Sequence, residues 1–415
     1  MIPYIAIAFI ITAFFVQDFG DVFRGFWAIQ INESILLTDY IEIGGIGATL
    51  LNSGILMLLN YFLIKGLKIR MSGPIFAGIL TIGGFAFFGK NILNISIIYL
   101  GAFLYARHKQ INLKSIAVIF LFSSGIAPIS SLFVFGLGLP LLYSIPLGII
   151  VGVMAGFLLV ELSAHAITFH KGYDLYNVGF AGGIIILLVM GITTQLGLGH
   201  DTNLLLSTDY HLLLMGITIV ISLMFLFTGL IMNDFKIKNY KEILSQSGRA
   251  ITDFTRKDNY AITLINIGLT TLLVLILITI LQIQINGPVM GAIMTVTGFS
   301  AFGKHIRNVF PSMIGVYVMS LIFGYETSNI SIALAIIFST GLAPLTGEKG
   351  YLVGFIAGMA HLPLVLAFSS LLGGVLLYTN GFAAAFTAVI INNFLMAFER
   401  GNNKWRFMKR LKVQK

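Results

Sequence analysis

Apolar runs of about 20 residues, each long enough to cross a bilayer core, follow one another along nearly the whole chain, parted by short polar stretches. Such a chain has few options. Hydrocarbon offers no water to pair backbone N–H and C=O groups, so spanning segments are helices or closed barrels. The alternating pattern of barrel strands is absent, which leaves helices. Composition agrees: 57% of residues are hydrophobic and 10% charged, with a mean hydropathy of +0.96, against about 25% charged in soluble domains. The fold class is an all-α polytopic membrane protein, with the lipid bilayer as its first partner. There are no cysteines, which excludes disulfides, thiolate metal sites and cysteine nucleophiles.

The net charge of +9 invites a nucleic-acid reading, but its placement argues against one. Lys65, Lys68 and Arg70, then Arg107, Lys109 and Lys114, then Lys236, Lys238, Lys241, Arg249, Arg256 and Lys257 sit in short connections. Arg400, Lys404, Arg406, Lys409, Arg410, Lys412 and Lys415 crowd the C-terminal tail. The 18–45 stretch instead holds Asp18, Asp21, Glu33, Asp39 and Glu42 against only Arg24, and 195–211 holds Asp201 and Asp209 with no Lys or Arg. The positive-inside rule then puts the basic stretches in the cytoplasm and the acidic ones outside. About 14 crossings satisfy this, with both termini cytoplasmic and the protein in the cell membrane. Residues 2–17 lack a basic leader and a small-residue cleavage site, so they read as a retained first helix.

The chain also repeats itself. Gly73, Pro74, Thr81, Gly84, Phe85, Phe88, Gly89, Lys90 and Asn94 recur 214 residues later as Gly287, Pro288, Thr295, Gly298, Phe299, Phe302, Gly303, Lys304 and Asn308. Phe122-Ser123-Ser124-Gly125-Ile126-Ala127-Pro128 recurs as Phe338-Ser339-Thr340-Gly341-Leu342-Ala343-Pro344. Gly152, Gly156, Gly172, Tyr176, Gly179 and Phe180 recur 202 residues on as Gly354, Gly358, Gly374, Tyr378, Gly381 and Phe382. This divides the chain into an N-terminal helix and external loop (1–45), a first repeat (46–195), a linking transmembrane helix and basic cytoplasmic loop (196–260), a second repeat (261–397) and a basic cytoplasmic tail (398–415). Each repeat is read with six spans, and the single linking helix inverts the second. Inverted repeats are the plan of many secondary transporters, with the site at the repeat interface.

Two duplicated motifs are candidates for that site. In Thr-x-x-Gly-Phe-x-x-Phe-Gly-Lys, glycines allow close helix approach, while Lys90 and Lys304 either snorkel to headgroups or draw an anion inward. Asn94 and Asn308 add amide contacts, and Thr81, Thr295, Phe85 and Phe299 face the same region. In Ser-[Ser/Thr]-Gly-x-Ala-Pro, Pro128 and Pro344 remove a helix donor, and Gly125 and Gly341 permit unwinding. A break there would expose polar backbone beside Ser123, Ser124, Ser339 and Thr340. The plain alternative is a kink repaired by those hydroxyls. Residues 73–89 and 287–303 are short enough to be broken or re-entrant.

Glu161 and His165 stand one helical turn apart, on one face, a pairing suited to proton coupling. The second repeat has Pro363 and Ala367 in their places, and no third metal ligand accompanies them. The Gly172–Gly182 stretch, with Tyr176 and Asn177, and its echo around Tyr378 and Asn380 read as interfacial anchors or as a polar route in.

On these motifs and their layout, the chain resembles an uncharacterised bacterial membrane family, domain of unknown function 1576, over most of its length; that resemblance implies no activity. Gly152, Gly156, Gly172, Tyr176 and Asn177 are similar to a glycine-spaced helix and turn of urea transporters, without that family's Leu-Pro-x-x-Thr-x-Pro-Phe segment. Thr295-Val296-Thr297-Gly298-Phe299-Ser300 resembles a filter segment of potassium-uptake channels, which use four such segments where this chain has two. The expectation is a transporter of a small polar or anionic solute, with protons or another ion as coupling partner and self-association left open. No cofactor or metal is expected, and no catalytic constellation stands out. A channel, urea-channel-like or cation-conducting, is the main alternative, ahead of a scaffold or an intramembrane enzyme.

Overall fold

The computed structural model describes all residues except 36, 199–203, 250–251, 258–259 and 414–415, and side chains up to Phe398 other than that of Lys257. Asp201 and the charged side chains of the tail therefore lie outside the described residues. The first half runs α1 (Ile2–Val16), α2 (Phe19–Gln30), α3 (Tyr40–Gly66), α4 (Gly73–Phe85), α5 (Ile92–His108), α6 (Ala117–Ser123), α7 (Pro128–Ser131), α8 (Leu141–His170) and α9 (Asn177–Gln195). The second runs α10 (His211–Met232), α11 (Tyr240–Leu244), α12 (Phe254–Lys257), α13 (Tyr260–Ile280), α14 (Gly287–Phe299), α15 (Ile306–Ile322), α16 (Ile330–Phe338), α17 (Ala343–Lys349), α18 (Tyr351–Leu371) and α19 (Thr379–Val413). Among the described residues, nine helical segments are long and apolar enough to cross a membrane, and five more are apolar but shorter. The chain is an all-α polytopic membrane protein.

Helix pairs recur in the two halves and are packed by the same small residues, which let helix backbones approach in lipid. A side chain on Gly54 of α3 would meet the Ala6 carbonyl of α1, and one on Gly268 of α13 would meet the Ser222 carbonyl of α10. Gly101 of α5 lies against Val153 of α8 and Gly156 against Ile98; Gly315 of α15 lies against Phe355 of α18 and Gly358 against Ser312.

At the centre lie α4 and α14, side by side and antiparallel. Gly73 at the start of α4 meets Ala301 just past the end of α14, Gly84 meets Gly291, Ala77 meets Gly298, and Phe87 meets Gly287. Thirteen residues each make helices of about 20 Å, short of a ~30 Å hydrocarbon core. The 73–89 and 287–303 segments thus hold helices that end inside the protein.

Two other sequence expectations are refined. The 18–45 stretch, read as a loop, contains α2, whose buried Val22, Gly25 and Ile29 face α3; Gly25 and Gly44 touch backbone to backbone. The proline motifs do interrupt their helices, by tightening rather than unwinding. Ser124–Ile126 and Ser339–Leu342 are short 3-10 turns. The Gly125 carbonyl accepts from Leu377 N at 3.2 Å and the Gly341 carbonyl from Leu175 N at 3.1 Å. Backbone polarity freed at each break is thereby satisfied by the other half of the chain.

Candidate functional site

The Phe-x-x-Phe-Gly-Lys motif is a helix-ending turn. Gly89 and Gly303 take φ of 83° and 82°, a left-handed conformation open mainly to glycine. Beyond them the Lys90 and Lys304 N–H groups return to the carbonyls of Phe85 and Phe299, in the manner of a Schellman cap. The carbonyls left over are claimed by asparagines. Asn94 Nδ2 donates to Gly89 O and Asn308 Nδ2 to Gly303 O, each at 2.9 Å. Asn52 Nδ2 donates to Ala86 O and Lys90 O at 2.8 and 2.9 Å; Asn266 Nδ2 donates to Ser300 O and Lys304 O at 2.7 and 2.8 Å. Asn94 and Asn308, expected as solute contacts, have their amides engaged in holding this turn. Asn52 and Asn266 were missed as partners, although they share the 214-residue spacing.

The turn carries each lysine inward. Lys90 and Lys304 are fully buried, which rules out snorkelling. Lys90 Nζ donates to Ser124 Oγ at 2.9 Å and to the hydroxyl of Tyr378, from the other half, at 2.8 Å. Lys304 Nζ donates to Thr340 Oγ1 at 2.9 Å and to the hydroxyl of Tyr176, again from the other half, at 2.5 Å. Each ammonium also sits over two rings: Lys90 lies 5.0 Å from Phe85 and 4.9 Å from Tyr378, and Lys304 lies 4.5 Å from Tyr176 and 4.8 Å from Phe299. These distances are within cation–π reach. Ser124 and Thr340 donate their own hydrogens to Leu121 O and Ile337 O, leaving lone pairs for the lysines. Asp174, beside Tyr176, acts electrostatically on Lys304; Lys90 has no such acidic neighbour among the described residues.

Between the two triads is a chamber of about 340 Å³, at the small end of ligand pockets, ~300–1,000 Å³. Its walls include Phe85, Phe122, Tyr176, Phe299, Phe338 and Tyr378, with Thr81 and Thr295 from α4 and α14. Of the expected site residues, Thr81, Phe85, Thr295 and Phe299 line it. Ser124, Thr340 and the lysines stand one layer behind, tied to the tyrosines. Gly125 and Gly341 lie against the Tyr378 and Tyr176 rings. Ser123 and Ser339 bond the carbonyls of Phe120 and Ile336; like Pro128 and Pro344 they are buried and shape the breaks. Tyr176, Asn177, Tyr378 and Asn380, read from sequence as anchors or as a polar route in, all line the chamber.

Glu161 and His165 are placed elsewhere. Glu161 Oε2 accepts from Tyr105 OH at 2.5 Å and lies 3.3 Å from Lys109 Nζ; His165 Nε2 is 3.8 Å from Oε1. Both side chains are well exposed, 46% and 73%, and neither lines the chamber. Among the described residues no cluster of three His, Asp or Glu is placed to hold a metal ion.

A family model described as "Protein of unknown function (DUF1576)" matches residues 19–195 and 232–397. The chain belongs to this family. No curated protein and no solved structure matches it.

In this DUF1576 chain the two halves also cap each other's short central helix. Asp39 Oδ2 accepts from Gly287 N at 2.7 Å, at the start of α14, while Oδ1 accepts from Ile41 N at 2.9 Å. Asp253 Oδ1 accepts from Gly73 N at 3.1 Å, at the start of α4, and from Thr255. Carboxylates are favoured at helix N-termini. The signal was Thr38-Asp39-Tyr40 against Thr252-Asp253-Phe254, again 214 residues apart. Asp39 lies before α3 and is fully buried. Burial pushes its carboxyl up to about 6, against the pull of the backbone donors from Gly287, Ile41 and Ser207. Between about pH 4 and 6 the folded protein therefore holds a proton that the unfolded chain has lost. Stability should fall by about 3 kcal/mol as pH rises through that window. In thermal unfolding of detergent-solubilised protein, Asp39→Asn is expected to flatten this pH slope; an unchanged slope assigns it to another group.

Proposed function

We propose that this DUF1576 protein is a transporter that carries a small polar or anionic solute through the central chamber, at the interface of two inverted repeats. The observation that carries the reading is the pair of crossed triads, Lys90–Ser124–Tyr378 and Lys304–Thr340–Tyr176. Each combines a lysine and a hydroxyl from one half with a tyrosine from the other, so relative movement of the halves must remake both. Buried ionisable groups inside a membrane protein are costly and mark pathways, and a matched pair behind the wall of one chamber, each bridging the two halves, suits alternating access. The antiparallel α4–α14 pair supports inversion. The recurrent α1–α3 and α10–α13 packing supports a repeat unit that begins with α1 in one half and α10 in the other. The protein is read in the cell membrane with both termini in the cytoplasm, from the placement of Lys and Arg.

A transporter is favoured over an open channel by the lining of the chamber. Pro74, Val118, Ile167 and Phe302 extend it toward one end, and their partners in the other half do not. Flux and current in proteoliposomes test this across ions, small anions and neutral solutes, with and without a proton gradient. The expected result is saturable, solute-specific flux without a steady conductance. A steady uncoupled current would make the protein a channel, and silence from folded protein across the panel would remove the transport reading.

A further inference from the structure

The inference rests on the transport reading of the chamber and concerns what the chamber takes. Its wall is mostly aromatic and aliphatic. A small hydrated ion would have to shed most of its water against a wall that is apolar over most of its area. A cation is further disfavoured, because Lys90 and Lys304 already occupy faces of the wall rings.

The polar groups of the wall are Thr81, Ser163, Asn177, Thr295 and Asn380 with the two tyrosines, and Thr81 Oγ1, Ser163 Oγ, Asn177 Oδ1 and Asn380 Oδ1 are buried without a hydrogen-bond partner. Tyr176 and Tyr378 each accept from a lysine, so their own O–H hydrogens remain to be placed. Tyr176 has Thr340 Oγ1 at 3.5 Å, long for a strong bond, and Tyr378 has Ser124 beside it, so a better acceptor in the chamber can compete for each hydrogen. A phenol whose oxygen accepts from an ammonium is a strengthened donor. Two such donors from opposite halves suit an oxygen acceptor that carries negative charge. Lys90 and Lys304 stand directly behind the two hydroxyls.

The route in is apolar as well. Among the lining residues, Val118, Ala164 and Ile167 are exposed. They mark an opening between α6 and α8, near the ends of two segments long enough to cross the membrane.

We infer that the chamber takes a weak organic acid, a carboxylate on an apolar body, which passes between α6 and α8 and turns its carboxylate to the Tyr176 and Tyr378 hydroxyls. The body has two possible sources, a soluble aromatic acid or a short acyl chain from the leaflet, and benzoate and octanoate stand for them. Binding of each to the full chain in nanodiscs is measured by calorimetry, alongside proteoliposome uptake of the same acids, chloride and glycerol. Saturable binding of either acid is expected, the tighter one naming the source. The double variant Tyr176→Phe/Tyr378→Phe, which keeps both rings, is expected to weaken it about 10- to 100-fold. Val118→Trp, which fills the opening, is expected to slow uptake of the bound acid.

The ways to fail are distinct. Acid binding that the double phenylalanine variant leaves unchanged overturns the assigned site. Uptake of chloride or glycerol, with neither acid bound, overturns the substrate class and keeps transport. Acid bound in the chamber with no solute moved upholds the class and overturns transport. Thermal unfolding of each variant confirms that it is folded.

Discussion

Replacing Lys90 or Lys304 with methionine is expected to lower transport about 100-fold, and Lys90→Met is expected to leave the protein at least as stable. Each lysine makes two charge-assisted hydrogen bonds, together about 3 kcal/mol, and holds a wall tyrosine in position. That energy, removed from the solute-binding state, corresponds to about two decades of rate. Stability responds differently. A fully buried ammonium carries a desolvation cost, and an apolar side chain of similar length removes it. Ser124 keeps its bond to Leu121, so the main loss in Lys90→Met is one contact on Tyr378; Lys304→Met also strips buried Asp174 of its cationic neighbour and is expected to cost stability. Thermal unfolding and flux on the same preparations separate the outcomes. Loss of flux with an unchanged or raised Tm in Lys90→Met supports lysines kept for function. A Tm lowered by several degrees in that variant would make them structural supports and remove the main argument for the site.

Gly125→Ala is expected to destabilise the fold by about 3 kcal/mol, and Tyr378→Ala is expected to recover much of that loss. A methyl group at Gly125 would overlap the Tyr378 ring, as one at Gly341 would overlap Tyr176. In each case the neighbouring backbone is fixed by a hydrogen bond between the halves, from Leu377 N to Gly125 O or from Leu175 N to Gly341 O. The ring therefore cannot simply slide away. A double-mutant cycle on positions 125 and 378 should show a coupling of about 2 kcal/mol. Additive effects would mean that the two halves do not press on each other here, and the crossed arrangement of the triads would lose its anchor.

Much of this arrangement could be read without coordinates, because membrane chemistry narrows what an apolar sequence can do. Helical class followed from the need to pair backbone groups inside hydrocarbon. The duplicated motifs located the lysines, the proline breaks, Thr81 and Thr295, and Phe85 and Phe299. Asp39 with Asp253 and Asn52 with Asn266 were equally visible at the same 214-residue spacing. They were passed over because one polar residue per half does not announce its partner.

The direction in which side chains point was not legible. A lysine at the end of an apolar run has two outcomes of comparable cost, a headgroup or a buried acceptor set. The choice depends on whether Ser124 and Tyr378, 34 and 288 residues away from Lys90, arrive within bonding distance. Glu161 and His165 show the converse: a helical spacing suited to proton transfer, on a face that turns out to be exposed beside Lys109. Periodicity and composition act along the chain, so they settle which segments are helices and which residues recur. Which half supplies the tyrosine to each lysine, and which side the chamber opens to, depends on contacts between segments hundreds of residues apart, and only packing of the whole chain sets those.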